Sequence, residues 1–319
     1  MKRAWLPRIA LAALITAASL GHVLWVGDPQ SYLAVLRLAD PLLLLGAAAT
    51  LAVAYLLRAF RVAIVLGAPP ARTLLRISVL HNLLSTVLPM KLGEAALPLL
   101  LRRGHMTPLS SGVGVLLGVR LFDMLALAVV AGTVLATGGG RLGPFVAWPA
   151  GLLAAAGVGF VLALPRLSAV SDRLIAWIGR RWPRLAGFAI QVSASALNAT
   201  GRRGLLLLAL SAAAWCCVLL AFYLAGLAFG LAATPAESAL ATSAAAFAFA
   251  LPINGLAGIG PVQLTWAGVM AGLGHAYAAA FSAALAVQLV SLATMAGLAL
   301  VLSIEWPSCG HLRPQDGTR

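Results

Sequence analysis

The chain has 319 residues, 62% of them hydrophobic and 9% charged, with a formal net charge of +14 and a mean hydropathy of +1.00. So little charge on so apolar a chain excludes a soluble globular domain and describes an all-α polytopic membrane protein. The positive excess does not point to nucleic acid, because the basic residues fall in short loops between apolar runs, where they set orientation and meet anionic lipid.

A transmembrane helix takes about 20 mostly apolar residues. Lys2 and Arg3 precede an apolar run from Ile9 to Val26 that is long for a signal-peptide core and is followed by further spans, so an uncleaved first helix is expected. About six full spans are predicted, at 7–26, 42–60, 109–136, 145–164, 204–230 and 278–304. Between them, 74–101 and 238–273 are each long enough for two half-crossing helices but are broken at the midpoint by proline and glycine. Irregular backbone survives at membrane depth only inside protein or beside a wet cavity, so both are read as re-entrant helical hairpins.

Positive charge orients these spans. With both termini cytoplasmic, Lys2, Arg3, Arg8, Arg58, Arg61, Arg72, Arg76, Arg102, Arg103, the arginines of 166–203, Arg313 and Arg319 lie inside. Arg37 and Arg141 fall outside with Asp28, Asp40 and Glu237, while Lys91 and Arg120 fall within the membrane. The halves, about 1–140 and 145–306, then repeat one order of elements from opposite sides, as in many alternating-access carriers. Residues 1–306 form a single integral membrane domain in this reading, and 307–319 a cytoplasmic tail. The connector 166–203 is either a basic amphipathic helix in the headgroup region, with Trp177 and Trp182 at the interface, or a solvated link whose arginines fix topology. Trp5, Trp25, Trp148 and Trp306 sit near span ends as interfacial anchors.

The chemistry is concentrated at the interruptions. In the first, Pro89 ends a helix and Gly93 permits the reversal at a hairpin tip. Lys91 and Glu94 are ionisable groups at membrane depth, and the helix starting near Glu94 turns its positive end inward, which favours an anion such as a lipid phosphate. Lys91 and Glu94 either serve that ligand or neutralise each other across the turn. Arg120 and Asp123, three apart in the next span, share a helix face and can pair; they either brace the hairpin or contact a phosphate. The second interruption carries Pro252, Gly255, Gly258, Gly260 and Pro261 without charge, while Asn254 and Gln263 bring amide groups. It either lines a site or packs closely through small residues.

Cys216 and Cys217 are adjacent, Cys309 stands alone and the five histidines are scattered, so neither a disulfide framework nor a metal site is expected, and no cofactor. No hydrolase, P-loop or paired-carboxylate motif appears, so the chain does not read as an enzyme.

At these residues the chain resembles the flippase-like membrane family named for the membrane region of lysylphosphatidylglycerol synthase. Pro89, Gly93 and Glu94 match its Pro-x-x-x-Gly-Glu hairpin, Arg120 and Asp123 its Arg-x-x-Asp pair, and Leu251, Pro252, Gly258, Gly260 and Gln263 a late Leu-Pro…Gly-x-Gly…Gln/Glu segment. The likeness runs from about residue 5 to 304. Gln263 stands where many members carry an acidic residue, and no room remains for the soluble aminoacyl-transferase domain. The resemblance implies a carrier moving a phospholipid, or a polyprenyl- or hopanoid-type lipid, across a bacterial inner membrane. Its partners would be membrane lipids, with anionic phospholipid headgroups bound through Lys91, Glu94, Arg120, Asp123, Asn254 and Gln263. A carrier of a small amphipathic solute, or a non-transporting partner of a lipid-modifying enzyme or glycosyltransferase, are the alternatives.

Overall fold

The computed structural model of the chain describes residues 6–26, 29–37, 39–67, 72–138, 177, 180–197, 201–250 and 255–304, and every element among them is helical. Helix α1 spans Leu6–Val26, α2 Pro29–Arg37, α3 Pro41–Leu66, α4 Arg72–Val87, α5 Ala96–His105 and α6 Leu109–Gly138. Helix α7 spans Pro183–Leu197, α8 Gly201–Ala228, α9 Pro235–Ala250, α10 Pro261–Gly272 and α11 Tyr277–Ile304. Among the described residues, α3, α6, α8 and α11 contain stretches long and apolar enough to cross a membrane. Helix α1 occupies the position of the expected first span. The expected span at 145–164 lies outside the described residues, as do Pro252 and Asn254.

Local chemistry sets the helix ends. Asp40 caps α3, its Oδ1 accepting from the Leu42 N–H at 2.8 Å and the Leu43 N–H at 3.3 Å, with Pro41 at the first helical position. Gly67 ends the helix in the left-handed region at φ 66°, its N–H reaching back to Ala63 and Ile64. Thr234 and Glu237 form a capping box at the start of α9: the Thr234 N–H donates to Glu237 Oε2 at 2.7 Å, and the Glu237 N–H to Thr234 Oγ1 at 3.3 Å.

Helix α3 lies along α8; α4 packs on α11 and α6 on α9; α3 also meets α11, and α6 meets α8. Apolar side chains gain nothing by leaving lipid for one another, so close approach through small residues has to hold such helices together. Ala221 and Ala225 of α8, Ala241 of α9, and Ala280 and Ala283 of α11 are all completely buried, around Trp266 and Met270 of α10.

Two features depart from the sequence reading. Helix α3 continues to Leu66, so Arg58 and Arg61, assigned above to a cytoplasmic loop, belong to the helix, and Arg61 is 1% exposed in the interior. The connector is also more than a surface helix or a solvated link over its described length. Trp177, Arg180, Arg181 and Trp182 are exposed, but α7 packs on α6 and α3 and buries Ala186.

Candidate functional site

The two interruptions meet. The first break, a 3-10 helix over Pro89–Ala95, touches the second, Gly255–Gly260, and α1 packs against both. At the first break Leu88 is extended and Lys91 takes the left-handed conformation at φ 58°. Gly93 is needed for space: a Cβ there would lie 2.1 Å from the Leu84 carbonyl oxygen and 2.4 Å from Ser85 Cα, because the break folds directly onto α4. At the second break Ala257, Gly258 and Gly260 have φ of 54°, 72° and 135°. Neighbouring side chains satisfy its freed backbone: Leu256 N–H donates to Thr16 Oγ1 at 2.8 Å, and Gln288 Nε2 donates to the Ala257 carbonyl at 2.7 Å.

Glu94, Arg120 and Asp123 are brought together beside the first break. Glu94 accepts from Arg120 through both carboxylate oxygens, once from Nη2 and once from Nε at 3.3 Å. Such a forked pair fixes the carboxylate in plane with the guanidinium. Arg120 Nη1 lies 3.6 Å from Asp123 Oδ2, the expected three-residue pair. The stronger partner of Asp123 comes from elsewhere, as Arg61 Nη1 donates to its Oδ1 at 2.5 Å and to Ser211 Oγ at 2.7 Å. Trp215 Nε1 also donates to Asp123 Oδ1, at 3.2 Å. His81 Nε2 sits 3.9 Å from Glu94 Oε2. The charged groups thus run Arg61–Asp123–Arg120–Glu94 across α3, α6 and the first break, with the His81 imidazole of α4 beside Glu94.

Lys91 does not pair with Glu94, which sets aside the neutralising alternative across the turn: no carboxylate among the described residues lies within 4 Å of it. Its Nζ sits over the Phe249 ring of α9, 3.2 Å from the centroid. The carboxylate of Glu94 is engaged by Arg120, and the left-handed turn at residue 91 directs the lysine toward α9 instead.

A cavity of about 300 Å³ opens against this cluster, lined by Lys91, Glu94, Arg120 and Asp123 on one side and by Trp215 and Phe249 on another. An apolar cavity of about 120 Å³ adjoins it behind Trp215 and Phe249 and reaches Tyr55, Arg58 and Gln288. A polar pocket of about 30 Å³ is shared by Arg58, Arg61, His81, Arg120 and Asp123. Gln263, an expected site residue, is fully buried and does not line the large cavity. Its Oε1 accepts the Gly260 N–H at 2.8 Å, so the amide closes the start of α10 and takes up an N–H that would otherwise face an anion. Gly258 and Gly260 shape the backbone, and Gly258 leaves room for Gln288, whose Nε2 lies 2.8 Å from where a Cβ would stand.

Spacing within single helices missed four residues, namely Arg58, Arg61, Ser211 and Trp215. One signal was present: the apolar run of α3 resumes after Arg61 with Val62-Ala63-Ile64-Val65-Leu66, so both arginines lie inside the hydrophobic stretch. Trp215 likewise falls in the middle of an apolar run, away from its ends.

A helical membrane protein with ionised groups gathered at two touching helix breaks is the class that this fold and site define. The chain matches the family described as Lysylphosphatidylglycerol synthase TM region over residues 9–299, and it belongs to that family. No curated protein and no solved structure matches it.

Proposed function

We propose that this protein is a flippase-like carrier that moves a phospholipid, or a polyprenyl- or hopanoid-type lipid, between the leaflets of a bacterial inner membrane without altering it chemically. One observation carries the reading: the buried ionic cluster faces a cavity of about 300 Å³ beside two touching helix breaks. A charged headgroup cannot cross hydrocarbon unaided, and a cavity lined by fixed charges replaces the water it leaves. Membership of a family with a lipid-related function supports the same reading.

In this proposal six full spans and two re-entrant hairpins form inverted halves, with both termini cytoplasmic. The packing supports two equivalent halves. Exchanging α3, α4, α5 and α6 for α8, α9, α10 and α11 turns the α3–α11 contact into α8–α6, α4–α11 into α9–α6, and α5–α6 into α10–α11, and every one of these contacts exists.

The test is lipid scrambling in proteoliposomes, read from the fraction of a fluorescent phospholipid bleached by an impermeant reductant. The wild type should expose the inner-leaflet lipid, and Arg120→Ala should abolish this while the protein still elutes as a folded species. Equal bleaching with wild type, Arg120→Ala and empty vesicles would overturn the carrier reading and favour a non-transporting partner of a lipid-modifying enzyme.

A further inference from the structure

We propose that the group held in the large cavity is a phosphate bearing two negative charges, a phosphomonoester or diphosphate, in preference to a singly charged or zwitterionic headgroup; this rests on the carrier reading above and narrows its substrate. The basis is a count of fixed charges. Helix α3 contributes Arg58 and Arg61, the first break Lys91 and α6 Arg120, whereas the carboxylates at the site are Glu94 and Asp123 alone among the described residues. The whole chain has only 8 acidic residues. Of those described, Asp40 and Glu237 cap helices away from the cluster.

Both carboxylates are already engaged. Asp123 takes Arg61 at 2.5 Å, and Glu94 takes Arg120 in a forked pair. Arg58 and Lys91 remain, and their partners are neutral. The Arg58 guanidinium lies 5.5 Å from the Tyr55 ring and 5.9 Å from the Trp215 ring, with Asn82 Oδ1 at 3.3 Å. Lys91 rests on Phe249. Aromatic faces hold a cation without cancelling its charge, and their attraction falls short of the desolvation that a buried ion costs. His81 brings no negative charge.

The two cations stand on either side of a shared wall. Arg58 lines the small polar pocket with Arg120 and Asp123, and those two residues also line the large cavity with Lys91. A phosphodiester would match one surplus cation and strand the other, and a headgroup amine would add to the imbalance. A phosphomonoester carries about −1.5 to −2 at pH 7 and offers three acceptor oxygens, which suits two separated cations.

The experiment uses the full chain in neutral detergent, titrated with dioleoylphosphatidate, dioleoylphosphatidylglycerol, dioleoylphosphatidylethanolamine and sn-glycerol 3-phosphate, with binding read by native mass spectrometry. Phosphatidate should bind at least about tenfold tighter than phosphatidylglycerol, since one further charge contact in a partly desolvated site is worth that much or more. Phosphatidylethanolamine should bind weakest. Arg58→Gln and Lys91→Gln should each bring the phosphatidate-to-phosphatidylglycerol ratio toward one, and Arg58→Lys should keep it. If a glutamine variant does not fold, the wild-type series decides alone. Equal affinity for phosphatidate and phosphatidylglycerol overturns the dianion proposal and leaves the carrier reading standing. Glycerol 3-phosphate binding as tightly as phosphatidate keeps the dianion and removes the lipid from the carrier reading. Binding of none of the four overturns both.

Discussion

Arg61 and Asp123, 62 positions apart in sequence, meet at 2.5 Å with side chains 2% and 4% exposed, and this contact joins α3 to α6 in the interior. Asp123 is the point at which three helices converge, since Trp215 of α8 donates to the same oxygen. Two ions this deeply buried stabilise the fold only as a pair, because either alone would be an uncompensated charge.

A double-mutant cycle follows from that relationship. Arg61→Leu or Asp123→Leu alone should cost about 3–5 kcal/mol, and the double substitution considerably less than the sum. Thermal unfolding in detergent measures all three. Strict additivity would mean that the two side chains do not support each other.

The Glu94–Arg120 pair is more open, with Arg120 39% and Glu94 20% exposed at the side chain. Breaking it should therefore cost only about 1 kcal/mol of stability, yet Glu94→Gln should impair lipid movement. The charge swap Glu94→Arg with Arg120→Glu should restore stability better than transport, because the swapped charges face the cavity from exchanged positions. Full recovery of transport by the swap would reduce the pair to a strut.

Gly93 and Gly268 make a controlled comparison. Alanine at 93 would thrust its methyl within 2.1 Å of the Leu84 oxygen, whereas nothing lies within 4 Å of a Cβ at 268. Gly93→Ala should destabilise by more than about 2 kcal/mol. Gly268→Ala, within α10, should be neutral or stabilise by up to about 1 kcal/mol. The same unfolding assay reads both, and a neutral Gly93→Ala would show that the break does not press on α4.

Stability should also depend on pH through Glu237, outside the candidate spans. Hydrogen bonds from the Thr234 backbone first and then from the Thr234 hydroxyl, with His275 Nε2 3.5 Å away, hold this carboxyl below its usual range against the opposing effect of burial. A depressed folded-state value means that the contribution is complete above the ordinary carboxylate range and is lost as pH falls through the lowered one. Melting temperature should thus drop more steeply with acidification in the wild type than in Glu237→Gln. Parallel curves would show that the cap does not sense pH.

Reporter fusions after Arg102 and after Arg203 should both score cytoplasmic. An external signal from either would break the proposed frame of spans and hairpins.

The long apolar helices and both interruptions were legible because composition and the punctuation of proline and glycine are local signals. The expected spans at 42–60, 109–136, 204–230 and 278–304 correspond to α3, α6, α8 and α11 within a few residues at most ends. The extension of α3 to Leu66 was missed although the apolar run resumes after Arg61, since two arginines within four positions look like the edge of a membrane. Helix α2, nine residues with Gln30 and Ser31 in its first turn, was too short and too polar to register. At the site, the Arg120–Asp123 pair is found at 3.6 Å as its spacing implied. The pairs Arg61–Asp123 and Arg120–Glu94 form between separate elements, and no periodicity encodes them. Gly93 was expected to permit the reversal at the tip, whereas the left-handed turn belongs to Lys91 and the glycine supplies clearance.

The line of polar contacts from Arg61 to His81 has a mechanical consequence. It stitches α3, α4, α6 and the first break together, and Ser211 and Trp215 attach α8 to the same seam. The deepest tie is the Arg61–Asp123 pair, which links α3 to α6 by oppositely charged groups in a medium of low dielectric. The α9–α10 hairpin is coupled to that seam by softer means, with Lys91 resting on Phe249 and the alanine-rich packing of α9 on α6. A cation over an aromatic face is held with less directional demand than the buried Arg61–Asp123 pair. The cavity wall is therefore held in two ways, by ion pairs on the α3 and α6 side and by a cation on an aromatic ring where it meets α9.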